Sequence, residues 1–228
     1  MLSDALRYPL EADGWVRTIL IGGLLTVLSV LVVPAFLLQG YYVRVLRGVT
    51  NDDPIPPVFD EWVDLSVDGL KLIVLNILVV IAVFVVQFGV VALLGTGALA
   101  AESAPMTDPG PAGGVLGVLG MVILLAVIFL VSYVAPAMIA NFAREDSLSA
   151  AFDASTVLSG ALSREYLIAW VLSVVVGIVL GTVATLLSLL IVGIFGLFYV
   201  QVVTYYLFGR GFAAGLGSDT GDADAVTY

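Results

Sequence analysis

The chain contains no cysteine and no histidine among its 228 residues. The first absence excludes disulfides and thiolate nucleophiles, and the second excludes imidazole bases and the commonest transition-metal ligands. Charge is also scarce, at 11% of residues, where a soluble domain carries about a quarter. Lys71 is the single lysine, and the other seven basic residues are arginines. No Asp, Glu, Lys or Arg falls within the apolar runs 18–39, 72–94, 115–139 or 166–208. A proton relay, an aspartyl protease or a voltage sensor needs ionisable groups there, so the sequence points away from all three and from an enzyme generally. No basic patch exists to meet a nucleic acid. No catalytic residue, cofactor or metal is therefore expected.

What is present is apolar: 61% hydrophobic residues and a mean hydropathy of +1.15. The expected class is an all-α, polytopic transmembrane helical bundle in the cell membrane, with the lipid bilayer as its principal partner. The expected boundaries are an interfacial segment at 1–14, a transmembrane domain at 15–212 and an acidic disordered tail at 213–228. Asp219, Asp222 and Asp224 in that tail lack the spacing of a calcium loop. The run 166–208 would reach roughly 65 Å as one helix, too long for one span, so it reads as two helices with a tight turn near L190-I-V-G-I-F-G196.

The segment 95–114 is rich in Gly, Pro and Ala and has no Lys or Arg. The positive-inside rule therefore makes this loop external and the loops 41–71 and 141–165, with Arg44, Arg47, Lys71, Arg144 and Arg164, cytoplasmic. The first run leaves two alternatives. Five full spans satisfy length; four spans plus a re-entrant N-terminal hairpin, broken at Gly22/Gly23 or Pro34, put all eight basic residues on one side.

Between the first two runs, residues 40–71 concentrate three basic and six acidic residues. On a helical wheel Asp60, Glu61, Asp64 and Asp68 gather on one face of 57–70, opposite Phe59, Trp62, Val63 and Leu65. This predicts an amphipathic interfacial helix, a surface for a protein partner, with Pro56-Pro57 in its first turn and Trp62 at headgroup level. Arg44 and Arg47 are placed to pair with these acids. A second such helix is expected at 147–163, because F59-D-E-W-V-D-L-S aligns with F152-D-A-S-T-V-L-S159 as an internal repeat.

R7-Y-P-L, G40-Y-Y-V-R-V-L-R47, P56-P-V-F-D-E-W62 and D68-G-L-K71 together make the chain resemble a family of archaeal and bacterial membrane proteins, domain of unknown function 4013, from Arg7 to Arg210. The resemblance implies a polytopic fold, carries no assigned activity, and marks Gly40, Tyr41, Arg44, Arg47, Phe59, Asp60, Glu61, Trp62, Asp68, Gly69 and Lys71 as motif residues. In relatives the first apolar region is longer and more plainly a two-helix hairpin.

The polar candidates within or beside the apolar runs are Asn76 and Gln87, then Tyr133, Asn141, Gln201, Tyr205 and Tyr206, read first as interhelical hydrogen-bonding groups. G177-I-V-L-G181 has the spacing of a close helix contact, which would make a homo-oligomer. The leading expectation is a non-enzymatic accessory or scaffold protein; the alternative is a small-solute or lipid transporter, channel-like and built on the repeat. The acidic, lysine-poor composition fits a high-salt cytoplasm, as in a halophilic archaeon.

Overall fold

The computed structural model describes residues 1–12, 14–53, 55–99 and 110–224. Those residues form eight α-helices: α1 Leu2–Arg7, α2 Trp15–Leu28, α3 Val32–Thr50, α4 Trp62–Leu99, α5 Gly110–Glu145, α6 Ala154–Ala161, α7 Arg164–Ser188 and α8 Val192–Asp224. The protein is all-α and multi-pass: α4, α5, α7 and α8 are each long and apolar enough to cross a membrane. At 14 residues α2 is not, reaching only about 21 Å. The chain divides into two compact units, 1–75 with 136–228, and 76–135.

In the first unit, two helical hairpins turn in closely similar ways. T26-V-L-S-V-L-V-V33 and T185-L-L-S-L-L-I-V192 both end one helix and begin the next after three residues. In each, the serine hydroxyl folds back on the threonine carbonyl, Ser29 Oγ to Thr26 O at 2.7 Å and Ser188 Oγ to Thr185 O at 2.6 Å. The break in the N-terminal hairpin thus falls at 29–31, away from the glycines and Pro34. Gly22 and Gly23 are needed as a smooth face instead: Phe198 and Phe195 of α8 lie flat against them, where a Cβ would collide. Pro34 occupies the first turn of α3, where its missing N–H leaves no orphan donor.

α3 lies beside α8, with Tyr42 stacked on Tyr205 at 4.9 Å and Gly209 against Val49. α1 closes the same layer, burying Ala5 against Val203 and Leu207, with Tyr199 donating from its hydroxyl to Leu6 O. Gly177 and Gly181 on α7 have nothing within 4 Å of an added Cβ, so within the chain they face open space rather than a packed helix.

Four expected boundaries move. Residues 57–61 are not helical: Glu61 holds a left-handed backbone with φ 46°, which a helix cannot continue through, so α4 begins at Trp62 and continues unbroken into its span. The predicted surface helix at 57–70 is therefore the first turns of a spanning helix. In 147–163, a 3-10 turn at Ala150–Phe152 precedes α6, which Asp153 caps by accepting from the backbone N–H groups of Ser155 and Thr156. The aligned halves of the proposed repeat differ in role: Phe59 is buried and Phe152 half exposed, and Asp60 pairs with Arg44 whereas Asp153 is a cap. α8 is helical through Asp224, into the expected tail, whose residues 225–228 lie outside those described. The expected loop at 95–114 narrows, since α4 runs to Leu99 and α5 starts at Gly110; residues 100–109 also lie outside.

Where α3 crosses α4, a glycine from each helix lets the backbones touch: a Cβ at Gly40 would strike the carbonyl of Leu65, and one at Gly69 the carbonyl of Phe36. Gly→Ala in an exposed helix normally adds about 0.5–1 kcal/mol of stability. At Gly40 or Gly69 the sign reverses, to a loss of about 1–3 kcal/mol through forced helix separation, whereas Gly177→Ala is neutral or stabilising. Thermal unfolding of the three purified variants checks this.

Candidate functional site

The motif residues converge on that crossing. Gly40, Arg44 and Arg47 share one face of α3 by their spacing of four and three, as do Leu65, Asp68 and Lys71 on α4. Between the helices the chain passes through Phe59, which is buried and stacks on Tyr41 at 4.3 Å. Trp62 is half exposed, with its ring 6.2 Å from Phe59.

Above the aromatic contact lies a clasp of ion pairs. Arg44 reaches the start of α4, with Nη1 2.7 Å from Asp60 Oδ1 and Nη2 3.2 Å from Glu61 Oε2. Arg47 forks onto Asp68 through Nη1 at 2.9 Å and Nη2 at 3.3 Å. Its Nη2 also meets Asp146 Oδ1 at 2.9 Å, while its Nε donates to Ala143 O at 3.3 Å. Lys71 completes the set, 2.9 Å from Asp146 and 3.9 Å from Asp68. One arginine thereby ties α3 to the start of α4 and the end of α5.

The expected pairing with the acidic face thus holds for both arginines, and the fold adds Asp146 as a further partner of Arg47. Asp60 and Glu61 lie level with Arg44, leaving Arg47 to turn inward to Asp68 and Asp146. Among the described residues Asp64 makes no ion pair, and it stands exposed at the rim.

Backbone geometry supports the clasp. Asp52, Glu61 and Asp146 have φ of 59°, 46° and 49°, in the left-handed region that costs an L-residue roughly 1–2 kcal/mol. All three hold an arginine of another helix: Asp52 pairs with Arg210, Glu61 with Arg44, and Asp146 with Arg47. A glycine would suit these helix ends better but would have no carboxylate to offer.

The hydrogen bond from Lys71 holds Asp146 below the usual carboxylate range against slight desolvation, assisted by the charges of Arg47 and Lys71. Desolvation works against the Arg47 guanidinium, but its hydrogen bond and charge contact with Asp68, then Asp146, raise its pKa. Asp153 is brought down to about 2, chiefly by hydrogen bonds from Ser155 and Thr156.

A cleft of about 620 Å³ opens over the clasp, bordered by Arg44, Arg47, Asp64, Val67, Lys71 and Asp146. A second, of about 490 Å³, lies at the end of α5 against Asn141, Arg144, Ser149 and Thr156. Asn76 and Gln87 border neither cleft; they sit in the 76–135 unit, where Gln87 Oε1 is buried without a partner. Asp146 and the pair Asp52–Arg210 are members of the charge layer that spacing alone did not reveal.

Two predictions follow from these contacts. Exchanging charges at Arg44 and Asp60 restores much of the thermal stability that Arg44→Asp alone removes; no recovery would exclude the pair. Because Asp146 is depressed in the folded state, its contribution is present at neutral pH and lost as pH falls through its folded value. Stability is therefore level between about pH 5 and 8 and drops below about pH 4, with a shallower drop in Asp146→Asn.

Against known proteins, no curated protein and no solved structure matches the chain. The family described as Protein of unknown function (DUF4013) matches residues 25–189, which include the first hairpin turn and the whole of the clasp and stop at the start of the second turn. The chain belongs to that family of membrane proteins.

Proposed function

We propose that this protein is a non-enzymatic accessory or scaffold protein of the cell membrane, and that its clasp face docks a basic segment of a protein partner. The observation that carries this reading is the balance of charge in the larger cleft, where five carboxylates face three cations. Arg44, Arg47 and Lys71 are each engaged by two carboxylates, so no cation is left over for an anionic partner. Exposed Asp64, with Val67 beside it, offers negative charge next to apolar surface, a combination that favours an amphipathic basic segment.

The arginines flanking the apolar runs support placing this face in the cytoplasm, and the acid-rich, lysine-poor composition fits a high-salt cytoplasm. The short N-terminal hairpin then enters from the cytoplasm and returns to it, with the second hairpin bringing Arg210 back to the same side. A small-solute or lipid transporter draws support from a single feature, the unpartnered Gln87 Oε1 in the other unit.

A photoreactive residue at Val67, in intact membranes, is expected to capture one discrete protein species, with Asp64→Lys lowering the yield several-fold. A single cysteine at Asp60 is expected to be labelled only from the cytoplasmic side. Capture indifferent to Asp64→Lys, or external labelling, contradicts the proposal.

A further inference from the structure

The two hairpin turns of the first unit end at one level. Gly22 and Gly23 of α2 face Phe198 and Phe195 of α8, so the two helices run antiparallel. From Gly23 to Val30 the chain rises about 10 Å, and from Phe195 back to Leu190 about 8 Å. The opposite ends are level too, because Asp52, just past α3, pairs with Arg210 of α8. From Arg47 to Leu31 is about 24 Å and from Arg210 to Ile191 about 28 Å, against roughly 30 Å of hydrocarbon. Any tilt shortens that reach. The greater length of α7 lies on the clasp side, where Gly211 and Gly215 of α8 face Ala169 and Ser163.

The tips expose apolar side chains. Val30 is 92% and Leu189 86% exposed, with Leu31, Val32, Leu190 and Ile191 exposed beside them. No residue of 26–33 or 185–192 is charged. A contiguous patch of this kind marks a surface that something covers. The turns suit hydrocarbon, where an unmet N–H or C=O finds no water. The N–H of Leu31 bonds to Leu28 O at 2.8 Å, and those of Leu190 and Ile191 bond to Leu187 O and Ser188 O at 2.9 and 3.0 Å. The hydroxyls of Ser29 and Ser188 are folded back onto Thr26 O and Thr185 O. Ile191 holds a left-handed φ of 63°, a position that ordinarily falls to glycine or asparagine. Its β-branched side chain keeps the tip apolar at the expense of local strain. A protein partner reaching in from water would be met by a polar rim, whereas the nearest polar side chains here are already satisfied within their own helices.

We infer that both hairpins end inside the bilayer: their tips are surfaces for the lipid acyl chains of the distant leaflet, and neither α2–α3 nor α7–α8 emerges on the face opposite the clasp. Helices α7 and α8 thus pass through most of the membrane without delivering a loop to its far side. The inference stands apart from partner docking, since the tips and the clasp lie at opposite ends of α3.

The native chain has no cysteine, so single cysteines in the purified full chain report without background. In nanodiscs both membrane faces are open to an impermeant maleimide. Val30→Cys and Leu190→Cys are expected to react about tenfold or more slowly than Asp64→Cys, because the attacking thiolate does not form in hydrocarbon. Both side chains are exposed, so their replacement disturbs no packing. A fluorophore attached at either tip in detergent, before reconstitution, is expected to be quenched more by lipids spin-labelled on the acyl chain than by lipids spin-labelled on the headgroup. Rapid maleimide labelling at either tip, or stronger quenching from the headgroup, places that tip at the far surface and overturns the inference. Protection from maleimide without acyl-chain quenching overturns it as well, being the result expected of tips covered by a second copy of the chain.

Discussion

Two helix backbones touch where α3 crosses α4, and the arrangement of the first unit depends on that contact. Only glycine allows it, and each helix supplies one, Gly40 against Leu65 and Gly69 against Phe36. Inside a bilayer, helices gain little from hiding apolar surface, since lipid is equally apolar; close packing and polar contacts must hold them together. The approach brings Arg44 level with the start of α4 and Arg47 within reach of Asp68, so the packing places the charges.

The charges in turn hold the packing. Asp68 is buried and keeps only 9% of its side chain exposed, a costly position for a carboxylate without a partner. The fork from Arg47 supplies one, and Asp146 and Lys71 complete a network in which each carboxylate touches two cations. Three acids accept a left-handed backbone to hold arginines, so pairing at this layer outweighs local preference. Contact pairs at 2.9 Å also lie inside the screening length of about 3 Å at molar salt, so added salt screens them only in part.

Much of this was legible in the residues. Uninterrupted apolar runs marked the four spans, and the ends of the arginine-bearing segment marked where the chain leaves the membrane. The pairing of Arg44 with Asp60 and Glu61 followed from their clustering in sequence. The second partner of Arg47 did not, because Asp146 lies 99 positions away and only the tertiary fold brings it near. The start of α4 was misplaced because the acidic periodicity of 57–70 is compatible with a helix, while the left-handed backbone at Glu61 that breaks it leaves no mark on that periodicity. The hairpin break was sought at glycine and proline, yet those residues serve packing and a helix start. Its signal was a repeated Thr-x-Leu-Ser turn, visible once two such turns are compared. Asn141 was legible as a polar group beside an apolar run, but its buried, unpartnered Oδ1 required side-chain geometry.

The most direct test of the central claim, that charge pairing and the glycine crossing form one unit, is a double-mutant cycle on Arg47 and Asp68, read by thermal unfolding of the purified chain. Either alanine substitution alone strands a partner at a buried or half-buried site and is expected to cost about 3 kcal/mol. The double variant is expected to cost little more than either single one, a coupling above about 1 kcal/mol. Losses that simply add, to within about 0.5 kcal/mol, would show the two residues acting independently and contradict the account.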